Sequence, residues 1–103
     1  MTYQQLDQYL GVKQERPALE PNTRIRRYGP VIAVLLHDHK ILTYYQSGEV
    51  ELNSCGYRTV TTKRRMNQYL DGYYVTQQNF KWLVQNTYTS RVFQDRMVIR
   101  SLE

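Results

Sequence analysis

The sequence has one cysteine, Cys55, so no disulfide can close within the chain. It has no long apolar run either. The longest, Val31–Leu36, is far short of the about twenty residues a membrane-crossing helix needs, so no membrane partner is expected. The opening residues Met1–Gln5 hold neither a basic nor an apolar stretch, which predicts no export signal and a cytoplasmic location. Histidine is confined to His37 and His39, and with Cys55 these are too few ligands for structural zinc, so no metal site is expected. A phosphate-cradling glycine loop, a dinucleotide-binding glycine pattern and spaced carboxylates for two-metal chemistry are all missing. No catalytic residue is nominated, and no cofactor is implied. Acids are scarce, nine against fourteen Lys and Arg, and the formal charge of +5 argues against an acidic nucleic-acid mimic and for a polyanionic partner.

The 103 residues allow one modest core. Thr2 is placed to cap a short helix on which Tyr3, Leu6, Tyr9 and Leu10 share a face, with Gly11 ending it, so 1–11 is expected to be an N-terminal helix. Residues 12–28 contain Pro17, Pro21 and the cluster Arg24, Arg26, Arg27, and are expected to form a basic linker or arm. From 29 to 103 a single α+β domain is predicted. Val31–Leu36 is a doubly buried strand, Ile41–Tyr45 follows it, and Glu49–Asn53 alternates as a half-exposed strand, giving an antiparallel meander. Thr61 or Thr62 is expected to cap a helix near 62–70 that ends at Asp71-Gly72. Tyr73–Thr76 and Lys81–Val84 form a second hairpin, and Val92-Phe93 with Met97–Ile99 a last strand or pair.

Chemistry is concentrated between Leu52 and Leu70, where Arg58, Lys63, Arg64 and Arg65 stand with no acid. Cations in the first turn of a helix oppose its dipole, and an anion bound there would relieve the conflict. Gly56–Arg65 is therefore expected to bind phosphate or carboxylate through Arg58, Thr61, Thr62, Lys63, Arg64 and Arg65. The same residues could equally be a capped helix with a solvated basic face. Arg24, Arg26, Arg27 and Tyr28 form a second candidate nucleic-acid contact, and Tyr44 and Tyr73, each in a tyrosine pair, are candidates for base stacking. Ten tyrosines and many arginines would also suit a protein interface.

The run Gly48 to Asn67, G-E-V-E-L-N-S-C-G-Y-R-T-V-T-T-K-R-R-M-N, followed by Trp82, resembles a family of small uncharacterised bacteriophage and prophage proteins. In that family the run usually reads G-x-V-x-L-x-S-G-G-W-R-T-x-T-T-K-x-R-x-N. The chain departs from it at Cys55, usually glycine, and at Tyr57, usually tryptophan. The resemblance implies a viral origin and names no activity. Together these observations predict a small basic phage-type accessory protein that binds nucleic acid or another phosphate-bearing ligand through Gly56–Arg65. The alternative is a phage-encoded inhibitor or adaptor that acts on a host enzyme through a Tyr/Arg surface.

Overall fold

Val31–Leu36 becomes the centre of the fold. The computed structural model describes residues 1–100. In chain order the elements are α1 (Tyr3–Leu10), β1 (Glu15–Pro17), β2 (Thr23–Tyr28), β3 (Val31–Leu36), β4 (His39–Tyr44), β5 (Glu49–Leu52), α2 (Val60–Tyr69), β6 (Tyr74–Gln78), β7 (Lys81–Gln85), β8 (Ser90–Val92) and β9 (Met97–Arg100). The predicted α+β class and antiparallel meander are present. The pairing extends further than predicted, into a six-stranded sheet of order β1-β2-β3-β4-β5-β9 and a separate three-stranded sheet, β6-β7-β8.

Local sequence accounts for most of the elements. Thr2 and Gln5 form a reciprocal capping box at the start of α1, and Gly11 at φ 59 ends it. His37 and Asp38, both at positive φ, make the two-residue turn between β3 and β4, a conformation whose twist matches a hairpin. Asn79 and Phe80 do the same between β6 and β7. No helix among the described residues is long and apolar enough to cross a membrane.

The linker expected at 12–28 is corrected. Thr23–Tyr28 pairs along its whole length with β3, and Thr23 and Ile25 are buried. The arginines between them hide a period of two. Thr23, Ile25 and Arg27 point inward while Arg24, Arg26 and Tyr28 point outward, so the segment is a sheet strand with a basic outer face. The expected last pair is also divided. Val92 ends a strand on β7, whereas Met97–Arg100 returns to pair with β5 in the larger sheet.

Both helices and the inner face of the small sheet pack on one side of the large sheet. That core joins Leu6 and Leu10 of α1, Ile25, Ile32 and Val34, Met66 and Tyr69 of α2, and Val75, Trp82, Val84 and Phe93. Among the described residues no helix covers the opposite face. There Ala33 and Leu35, 0% and 5% exposed, pair in register with Arg26 and Arg24.

Candidate anion-binding surface

The entry to α2 was expected to be one converging site, and the fold separates it into three. Helix α2 starts two residues earlier than predicted, at Val60. Its cap is Thr59, whose Oγ1 accepts from the Thr62 amide at 3.2 Å; neither Thr61 nor Thr62 is the cap. The first turn is thus Val60, Thr61 and Thr62. Lys63, Arg64 and Arg65 lie a turn further in, where the helix dipole has largely faded.

Arg58 lies just before the cap residue Thr59, with its guanidinium 5.0 Å from the Phe93 ring centre and 5.7 Å from that of Trp82. Lys63 Nζ is also 5.7 Å from the Trp82 ring and donates to Gln77 Oε1 at 2.9 Å. Arg58 and Lys63 therefore meet at one aromatic ring on the small sheet. Arg64 is exposed. Thr61 and Thr62 turn elsewhere, onto a cavity wall beside His37 and His39, and Thr62 is buried. Arg65 leaves the group altogether. It is 6% exposed and donates to Gln68 Oε1 at 2.7 Å and to the Pro21 carbonyl at 3.4 Å, while its buried Nε has no partner. An arginine buried in this way ties the 18–22 turn to α2 and is not available to a surface ligand.

The chain turn that leads into this helix requires unusual backbone. Cys55 and Gly56 both have positive φ, 53 and 81. Cys55 thus adopts a conformation glycine would hold more easily. Its amide donates to Asn53 Oδ1, and burial followed by the Asp95 charge pushes the thiol pKa up, so the thiol is protonated near neutral pH. Asp95 accepts from both the amide and the hydroxyl of Ser54, each at 2.7 Å. Burial raises the Asp95 pKa, but these hydrogen bonds and the nearby Arg58 charge outweigh it and hold the carboxyl below its ordinary range.

The second basic segment also divides. Arg27 is inward and structural. It pairs with Asp7 and donates to the Gly11 carbonyl at 2.8 Å, closing the end of α1. Arg24 and Arg26 share Glu15 on the outer face. Tyr28 lies against two cations, with Lys40 Nζ 3.7 Å and the Arg26 guanidinium 5.2 Å from its ring centre. Lys40 was not among the predicted residues. Its sequence position beside a turn gave no signal, because only the pairing of β4 with β3 brings it over Tyr28. Lys40 and Arg96 also line, with His39, Cys55 and the acids Asp38 and Glu51, a shallow cleft of about 410 Å³ on this side.

The tyrosine expectations reverse parity. Tyr44 is 2% exposed and donates to the Tyr69 carbonyl at 2.8 Å, and burial, more than the charge of Asp71 or Tyr69, raises its pKa far above normal. It cannot stack on an external base. Tyr73 is half-buried against the core. Their outward neighbours are Tyr45, half-buried, and Tyr74, 62% exposed. Among the described residues no three His, Cys, Asp or Glu side chains gather as metal ligands.

The model of the Kyanoviridae Gp96 protein family matches residues 4–100. The chain belongs to this phage protein family. The match takes in α1, both sheets and α2, so the Gp96 family unit is the whole described fold. No curated protein and no solved structure matches the chain.

Proposed function

We propose that this Gp96 family protein is a non-enzymatic accessory protein that binds nucleic acid through the outer face of its large sheet and the cations at the entry to α2. The carrying observation is the uncovered sheet face on which Arg26 and Lys40 flank the Tyr28 ring, with Arg24 beside them. Cations spaced along a groove track a phosphate backbone, and an aromatic ring among them gives bases a stacking platform. The net charge of +5 adds long-range attraction for a polyanion. Arg58 and Lys63, against Trp82 of the small sheet, and the exposed Arg64 add a second basic patch at the entry to α2. Anisotropy titrations of single- and double-stranded DNA and RNA test this. Log affinity is expected to fall linearly with log salt, with a slope of about −2 to −4 for three to four cations engaged. The paired reversal Arg26→Glu with Lys40→Glu is expected to abolish binding. Undetectable or salt-independent binding to every nucleic acid at about 50 mM salt removes the proposal.

One feature favours a second reading, contact with a host protein. The outer face of the small sheet leaves Tyr74 62% and Val92 57% exposed, and Phe80 is held at φ 65 on the adjoining turn while 95% exposed. A bulky aromatic kept in the left-handed region with no packing partner is a cost that a folded domain seldom carries without use. A pull-down from host lysate, with and without nuclease, separates the two readings. Capture that survives nuclease and is lost in Phe80→Ser/Tyr74→Ser favours the protein partner.

A further inference from the structure

Beside the charged surface, a half-open pocket of about 380 Å³ lies between the β3–β4 turn and the start of α2. We infer that this cavity receives one unpaired base of a bound single strand, an inference that rests on the nucleic-acid reading above. The volume is near the low end for small-molecule pockets, enough for one ring system. Leu36 and Ile41 supply an apolar floor, and both are nearly fully buried. Tyr57 and His39 stand at the wall as an aromatic pair, ring centres 4.7 Å apart and tilted by 35°. Tyr57 is 55% exposed, so its ring still has area to offer a base.

Polar groups are placed where a base edge needs them. His37 and His39 each bring a ring nitrogen that donates and one that accepts when neutral, and Thr61 adds a hydroxyl. The Thr59 and Thr62 hydroxyls bond each other at 3.1 Å and close that side of the wall. A pocket of aromatic faces, an apolar floor and mixed donors and acceptors suits a flat heteroaromatic ring, whereas a bare phosphate would call for cations, and none lines this cavity.

Its position links it to the backbone track. His39 lines both this cavity and the cleft that holds Lys40 and Arg96. The next residue, Lys40, lies over Tyr28. A strand whose phosphates follow Lys40 and Arg96 therefore passes His39, from which an unstacked base can turn into the cavity while its neighbour stacks near Tyr28.

The test compares a short mixed-sequence single-stranded DNA with an abasic deoxyribose-phosphate oligomer of the same length, each titrated against the parent protein, Tyr57→Ala, Tyr57→Trp and Thr61→Phe. Tyr57 and Thr61 are both exposed, and equal melting temperatures confirm that the variants fold. Tyr57→Ala is expected to weaken binding of the base-bearing strand about tenfold and leave the abasic oligomer unaffected. Thr61→Phe, which fills the cavity, is expected to do the same, and Tyr57→Trp to retain parent affinity. If the parent binds both oligomers and Tyr57→Ala and Thr61→Phe alter neither, or alter both equally, the base pocket is overturned while the polyanion surface stands. If the parent binds neither oligomer, the nucleic-acid reading fails and takes the pocket with it.

Discussion

The two cation-rich segments, Arg24–Tyr28 and Arg58–Arg65, look alike as sequence, and the fold treats them by the same rule. Each gives one arginine to the architecture and leaves the others on the surface. In the strand, alternation sends Arg27 inward, where it holds Asp7 and the carbonyl end of α1. In the helix, the 3.6-residue period carries Arg65 inward, where it holds the Pro21 carbonyl. Arg24, Arg26, Lys63 and Arg64 stay at the surface because they lie on the other side of the same periodicities. A count of cations along a segment therefore overstates what a ligand can meet, and parity within the element corrects it.

Arg65 carries the largest expected effect. Arg65→Ala is expected to cost about 2–4 kcal/mol, since it opens a void and unpairs Pro21 and Gln68. Arg65→Met should regain most of that, because among the described residues the buried guanidinium forms no ion pair with an acid and its Nε is unsatisfied. Urea unfolding measures both. An Arg65→Ala protein of parent stability that no longer binds nucleic acid would make Arg65 a ligand contact after all.

Arg27 and Arg26 sharpen the contrast within one strand. Arg27→Ala should cost about 2 kcal/mol, through the lost Asp7 pair and the uncapped α1 carbonyls. Its neighbour, in an exposed pair with Glu15, should cost no more than about 0.5 kcal/mol as Arg26→Ala. Equal losses in thermal melts would dissolve the distinction between inward and outward arginines.

Lys63→Glu with Arg64→Glu should leave stability within about 0.5 kcal/mol of the parent, because these positions lie beyond the first turn of a helix that begins at Val60. Nucleic-acid binding should weaken, and the salt slope should become shallower by about 2. A large change in stability with unchanged slope would reverse the assignment.

The smallest effect concerns Asp95, the acid beside Arg58. Its folded pKa lies below the ordinary 3.8, so its contribution is present above that value and is lost as pH falls through the depressed folded pKa. Asp95→Asn should remove that part of the acid sensitivity, and Arg58→Ala a smaller part. Urea midpoints measured from about pH 5 down to about pH 3 give the comparison, and superimposable curves for parent and Asp95→Asn would remove the coupling.

Much of the fold was legible in the chain. Thr2 and Gly11 mark α1, the apolar run marks β3, alternation marks β5, and the change of period after Gly56 marks α2. Strand β2 was not legible, because arginines at both parities masked its alternation and two prolines beside it suggested a linker. Several residues of the run from Gly48 to Asn67 turned out to have structural duties. Thr59 caps α2, Ser54 binds Asp95, and Asn67 brackets the Val75 amide and carbonyl at 2.7 and 3.0 Å, as a neighbouring strand would.

Local periodicity, capping and composition were enough for most of the elements, their amphipathic faces and the surplus of positive charge, though not for β2. Tertiary structure alone decided which cations remain free and what stands beside them. Lys40 reaches Tyr28 only through strand register, Met97–Arg100 closes the large sheet only by leaving the small one, and His39 meets Tyr57 only after the Cys55-Gly56 turn folds back on β4. Such contacts join residues far apart in the chain, and their free energy comes from burying a shared core, which no local segment can do alone.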